Sequence, residues 1–259
     1  MAKNNWVCVS KTDIGTVRKV NEDALLDGSD YCLWCVADGM GGHEKGDLAS
    51  SRITEHLFSL VKQVNSELNL QLIERCVQEI NFELIQLAER QQSVVGSTVA
   101  ILFIQDQKAH CIWAGDSRIY RIRNNQLLRL TRDHSQVEDM IDAGLISQAE
   151  AETHPKANVI TRAVGAHDQL QLEICSYDIE KNDQFILCSD GLNKVMTDKE
   201  LSTFVQQSTF EEVAEDLIDI ALQRNARDNV TVLVVKHKLN NENSLRSTLP
   251  LDRTLPLHS

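Results

Sequence analysis

Apolar positions along this chain switch between a two-residue and a 3.6-residue period, and the switches mark its elements. Trp6 to Ser10, apolar up to its closing serine, reads as an opening strand. A polar connector, Thr12 to Asp23, separates it from a second strand opening at Ala24 to Leu26, which Asp27-Gly28 turns. Tyr31 to Ala37 is a nearly unbroken apolar run and predicts a buried strand. From Gly46 to Val64 apolar residues return at helical spacing (Leu48, Ile53, Leu57, Leu60, Val61). From Leu70 to Gln91, Leu72, Ile73, Cys76, Ile80, Leu84 and Leu87 share one face of a second helix.

Short strands then dominate: Thr98 to Ile104, Ala109 to Ala114, Ile119 to Arg123 and Gln126 to Leu130, with Asn124-Asn125 as a turn. Ser135 to Pro155 is polar and broken, with a short helix to Ala143, then Gly144, then a helix capped by Ser147 and running toward Glu152. Strands near Leu170 to Tyr177 and Gln184 to Cys188 follow. Helices near Thr197 to Gln206 and Thr209 to Arg224 each open on a threonine, and Val230 to His237 closes the series. Strands and helices fall in separate blocks with short strand connections. That pattern predicts an α+β fold with mostly antiparallel sheet. From Lys238 the composition turns to Asn, Ser, Pro and charge, which predicts a flexible tail over 238–259.

Composition narrows the partners more than it names them. The chain has 259 residues with 42% hydrophobic and 25% charged residues, and its formal net charge is −12. An acidic balance argues against binding to nucleic acid or to an anionic membrane. Met1 to Ser10 lacks an apolar signal core and no apolar run has the length of a span, so the expected location is the cytoplasm. Seven cysteines, mostly inside apolar segments, fit buried free thiols. Cys32 and Cys35 form a CxxC, but positions three apart on a strand face opposite sides, and no second CxxC completes a zinc site.

Four aspartates stand in look-alike settings: Ala37-Asp38-Gly39, Gly115-Asp116-Ser117, Ser189-Asp190-Gly191 and Arg227-Asp228-Asn229. The first three follow apolar strands and the fourth precedes one, so together with Glu22 they can meet on one rim. Two carboxylates ~4 Å apart repel by roughly 4 kcal/mol at an effective dielectric near 20, which calls for cations among them. Oxygen donors without a His/Cys set favour Mg²⁺ or Mn²⁺ over zinc.

The ordered motifs resemble the PPM-type, protein phosphatase 2C-like Ser/Thr phosphatases of the bacterial branch. They are Arg18-x-x-x-Glu22-Asp23, Asp38-Gly-Met-Gly-Gly-His, Gly96-Ser-Thr, Gly115-Asp-Ser-Arg, Leu130-Thr-Arg-Asp-His-Ser, Asn158-Val-Ile-Thr-Arg-Ala-Val-Gly, Ser189-Asp-Gly and Arg227-Asp-Asn. The resemblance spans Trp6 to His237. It implies an αββα four-layer sandwich of two antiparallel sheets flanked by helices. It implies a phosphatase domain over 1–237, with a flap about 135–157 beside the cleft.

The resemblance also implies a two-ion Mn²⁺ or Mg²⁺ centre. Asp38 would bridge the ions, Asp190 and Asp228 would hold one, and Glu22 with the Gly39 carbonyl the other. Asp116 with Asp190 would match a weaker third site, and Arg18 would grip the substrate phosphate. A metal-bridging water or hydroxide would attack phosphoserine or phosphothreonine directly. Phosphorylated proteins would be the substrates and a cognate Ser/Thr kinase the opposing enzyme. A catalytically idle phosphopeptide binder would lack ligands, whereas here every ligand position and Arg18 are filled.

Met40 replaces the histidine that the eukaryotic branch offers as general acid. His43 and metal-bound water are then the two sources of the leaving-group proton, and a structural role for His43 stays open. His134 and Cys188 read as structural. In the tail, Thr248-Leu-Pro-Leu251 recurs as Thr254-Leu-Pro-Leu257. The repeat is either fortuitous or a docking segment for a phosphothreonine reader of the forkhead-associated type.

Overall fold

The computed structural model describes residues 5–41, 45–64, 67–152 and 154–238. His43, Thr248 and Thr254 lie outside the described residues, so the proton-donor and reader expectations attached to them have no structural counterpart here.

Eleven strands form two antiparallel sheets: β1 (Trp6–Asp13), β2 (Asp23–Gly28), β3 (Leu33–Met40), β4 (Gly96–Ser97), β5 (Val99–Gln105), β6 (Lys108–Ala114), β7 (Arg118–Arg123), β8 (Gln126–Arg129), β9 (Glu173–Asp178), β10 (Gln184–Cys188) and β11 (Val230–His237) among the described residues. One sheet runs β1-β11-β10-β7-β8, and the other β2-β3-β5-β6-β9, with β4 pairing the end of β3. The strand period of two divides their side chains between three apolar layers. Leu33, Cys35 and Ala37 join Val99, Ile101 and Phe103 beneath α1 (Gly46–Val64) and α2 (Leu70–Gln91). Trp34, Val36, Ala100, Leu102, Phe185, Leu187, Leu233 and Val235 meet between the sheets. Ile186, Cys188, Val232 and Val234 face α6 (Asp198–Gln207) and α7 (Val213–Gln223). This is the expected α+β four-layer sandwich.

Helix ends follow local chemistry. Asn69 caps α2 by accepting from the Leu72 amide at 3.1 Å, and Thr197 and Glu200 close a capping box at the start of α6. Thr209 does not cap α7. That helix starts at Val213, and the Thr209 hydroxyl donates instead to Glu212 at 2.7 Å. The third strand likewise starts later than its apolar run, at Leu33, because Ser29–Tyr31 forms a 3-10 turn that Cys32 ends in the left-handed region. Cys32 packs between the sheets and Cys35 beneath the helices, and all seven cysteines are free. No helix among the described residues is long and apolar enough to cross a membrane.

The polar stretch after β8 carries α3 (Gln136–Asp142), capped by Ser135, and α4 (Gln148–Glu152). Its ends are tied together, Gln136 N donating to Val159 O at 2.8 Å. Leu187 is fully buried between the sheets, whereas Phe82 on α2 is 62% exposed. Leu187→Ala should cost about 2–5 kcal/mol of unfolding free energy by urea titration, and Phe82→Ala about 0.5 kcal/mol or less. Equal costs at the two positions would contradict the layer assignment.

Candidate metal centre

Antiparallel order brings strand starts and strand ends to one rim of the sandwich. There β3 and β10 arrive with Asp38 and Asp190, β6 hands over to Asp116, β2 starts at Asp23 behind Glu22, and Asp228 precedes β11. Asp38 is not beyond its strand as its sequence suggests. Chain pairing continues to Met40, and Asp38 stands opposite Asp23 in the β2–β3 ladder. Asp190 is the first residue of a short helix, α5 (Asp190–Asn193).

The backbone beneath these carboxylates is held at each point. Thr98 accepts from the Asp38 amide at 3.0 Å, while the Thr98 amide (2.8 Å) and the Ser97 hydroxyl (3.0 Å) donate to the Asp38 carbonyl. Asn229 accepts from the Glu22 amide at 2.8 Å and donates to the Ile14 and Val20 carbonyls, fixing the connector that carries Arg18. Gly39 passes so close to its neighbours that a Cβ there would lie 2.0 Å from the Gly46 carbonyl oxygen. Only glycine allows that approach.

The turn holding Asp116 is braced from the Asp133–Ser135 segment. The Gly115 amide donates to His134 Nδ1 at 3.1 Å and the His134 amide to the Gly115 carbonyl at 2.9 Å. The ring stacks on Trp113 and reaches Glu173 at 3.0 Å through Nε2. Arg118 grips Asp133 at 2.6 to 3.1 Å. His134 is therefore a brace, as its sequence context suggests, and Cys188 is a fully buried core thiol. Met40 pairs with Gly96 and lies over its Cα, where it has no proton to give.

Like charges and burial together raise these acids. Burial, then Asp23, Asp190 and Asp116, push Asp38 well above the usual carboxylate range. Burial and the Asp190 charge carry Asp116 up to about 7, and burial raises Glu22 and Asp190. Burial also moves Asp228 upward, but hydrogen bonds from Arg18 and the Lys194 charge bring it below its ordinary value. Arg18 meets Asp228 through Nε at 2.8 Å and Nη2 at 3.0 Å. Lys194 pairs with Asp190 and stands 3.5 Å from Asp228.

Asp23 joins the cluster although the expected ligand set did not include it. Its Oδ2 accepts from Ser189 Oγ and Thr231 Oγ1, both at 2.7 Å, and burial raises it to about 7. Its place beside Glu22 in the Arg18-x-x-x-Glu22-Asp23 motif was the available signal. Among the described residues the buried oxygens Glu22 Oε1, Asp23 Oδ1 and Asp190 Oδ1 have no hydrogen-bond partner. Orphaned carboxylate oxygens are the donor chemistry of a hard divalent cation. Among the described residues no three acidic, His or Cys side chains already stand at ligand spacing; Asp190 and Asp228 face the side-chain cations instead.

A family model described as Protein phosphatase 2C matches residues 21–230. The chain belongs to that family. The serine/threonine phosphatase stp of Listeria monocytogenes is 32% identical over 239 residues, covering 88% of this chain and 95% of that protein. The structure of PppA, described as a key regulatory component of T6SS in Pseudomonas aeruginosa, has a TM-score of 0.79 and 41% identity, over 89% of this chain and 96% of that one. The catalytic domain of the phosphatase PstP, solved in complex with 2 manganese ions, has a TM-score of 0.80 and 29% identity, over 89% and 97%. The expected enzyme class, a metal-dependent protein-serine/threonine phosphatase, is that of the family; stp and PstP are serine/threonine phosphatases, and PstP was solved with manganese.

Carboxyls raised in the folded state bind protons that the unfolded chain has released, so the stability they allow is present below about pH 4 and is lost as pH rises through about 7. With divalent ions chelated, the melting temperature should therefore fall between pH 5 and pH 8, and saturating Mn²⁺ should restore it at pH 8. A metal-free melting temperature that climbs over this range would refute the reading.

Proposed function

We propose that this 2C-type phosphatase hydrolyses phosphoserine and phosphothreonine in proteins, opposing a cognate Ser/Thr kinase. The observation that carries the reading is the carboxylate cluster at the joint rim, with Arg18 across its mouth. Asp38 would bridge two ions, Asp190 and Asp228 would hold one, and Glu22 with the Gly39 carbonyl the other. Asp116 with Asp190 would form a weaker third site. The oxygen donor set suits Mn²⁺ and Mg²⁺ alike, and the PstP neighbour with 2 manganese ions supports the two-ion count.

When bound, the ions would neutralise the cluster and acidify the water that attacks phosphorus directly, with no covalent phosphoenzyme. The chain's own groups do the positioning. Arg18 presents a planar fork at the cluster, and exchanging part of its contact with Asp228 for phosphate oxygens would orient the scissile bond. Asp23, fixed by Ser189 and Thr231, keeps one oxygen free at the rim. Thr98 and Ser97 hold Asp38 still, which favours a single attack geometry. Met40 offers no acid, so the leaving alkoxide would take its proton from His43 or from water. The tail repeat, with Thr248 and Thr254, supports a docking role toward a forkhead-associated-type reader.

The test is Mn²⁺-dependent phosphate release from a phosphothreonine peptide and from a small aryl phosphate. Asp38→Asn and Asp190→Asn should nearly abolish turnover while the protein stays folded, since Asn keeps the volume and loses the charge that holds the ions. Either variant keeping more than about a tenth of wild-type activity at saturating Mn²⁺ would sink the assignment. Arg18→Ala should chiefly raise KM, because it removes phosphate binding and leaves the carboxylates in place.

A further inference from the structure

Beside the carboxylate rim lies a cleft of about 430 Å³. Three cationic side chains line it, Arg18, Lys194 and Arg227, against one acid, Asp228. That excess of positive charge belongs to a chain whose net charge is −12. Two of the cations are already engaged. Arg18 makes a two-point contact with Asp228, and Lys194 pairs with Asp190 and approaches Asp228. Arg227 is different: it is exposed, and its side chain makes no ion pair or hydrogen bond among the described residues. Val17, itself 55% exposed, and Val195 supply apolar wall beside it. A low-dielectric wall strengthens an ion pair formed next to it.

Position sets what Arg227 can meet. It precedes Asp228 in the chain, and adjacent Cα atoms are about 3.8 Å apart. A peptide lying extended in the cleft advances about 3.3 Å per residue, and residues two apart share a face about 6.6 Å apart. With a phosphoresidue at the rim, an anionic side chain two positions away lies on the same face and comes within reach of the long Arg227 side chain.

We propose that Arg227 forms a second anion subsite, which selects phosphoproteins carrying another negative group within two residues of the phosphoresidue. The group is a carboxylate or a second phosphate. The proposal rests on the phosphatase reading above and adds its substrate class. Arg227 acts on recognition and touches no reacting atom, so its effect belongs in KM rather than in kcat.

The test uses the full chain with Mn²⁺ and four phosphothreonine peptides of one backbone: neutral flanks, Glu at the neighbouring positions, a second phosphothreonine two residues on, and Lys at the Glu positions. An aryl phosphate serves as a substrate without flanks. The Glu and doubly phosphorylated peptides should exceed the neutral one in kcat/KM by about three- to tenfold, through KM, and the margin should shrink as salt rises. Comparing those two peptides tells which anion the subsite prefers. Arg227→Ala should bring the ratio of anionic to neutral peptide close to one, and Arg227→Glu should turn the preference toward the Lys peptide. Wild-type rates that ignore the flanks would overturn the subsite alone, as would a preference that survives Arg227→Glu. No turnover of any peptide or of the aryl phosphate would overturn the phosphatase reading itself, and the subsite with it.

Discussion

Mutual repulsion among carboxylates at the rim is the constraint on which the rest of the structure turns. Burial pushes Asp38, Asp190, Asp116, Glu22 and Asp23 toward the neutral acid, and neighbouring carboxylate charges add to it. A pair of such charges ~4 Å apart costs roughly 4 kcal/mol even at an effective dielectric near 20. Acids buried side by side stay together only on a stiff frame. The two sheets supply it: Phe185, Leu187, Leu233 and Trp34 lie between them without measurable exposure.

The same repulsion explains where the protein spends its polar contacts. Thr98, Ser97, Asn229, Ser189 and Thr231 bond to the backbone or carboxyls of the cluster. His134 and the Arg118–Asp133 pair brace the turn under Asp116. Arg18 and Lys194 bring positive charge to Asp228 and Asp190. Motifs that look separate along the chain, such as Gly115-Asp-Ser-Arg and the Asp133-His134 turn, prove to be two sides of one brace. Function and folding are thus coupled at this rim, because the groups that suit it to cations are the ones that strain it.

Much of the fold was legible because periodicity is local. Nearly unbroken apolar runs at Val99 to Phe103 and at Val230 to Val235 report a sheet covered on both faces, and the helical stripes of α1 and α2 report the layer above one sheet. Boundaries were less legible where backbone geometry overrode side-chain pattern. Tyr31 and Cys32 are apolar, yet they turn before β3 starts. Asp38 looks like a strand end, yet pairing with Asp23 carries the strand past it. Thr209 has a capping side chain, but its hydroxyl found Glu212 and the helix began later.

By itself the sequence determined the element types, the α+β class and the carboxylates that were candidates for one rim, since residue type and short-range spacing suffice for each. Tertiary structure alone decided which groups share an environment. Asp23 meets Ser189 and Thr231, 166 and 208 residues away, and becomes a buried acid. Lys194 and Arg18 turn to Asp190 and Asp228, while Arg227 is left facing the cleft. The reason is physical. Charge and solvation depend on distance through space, and only the closed sandwich brings those residues together.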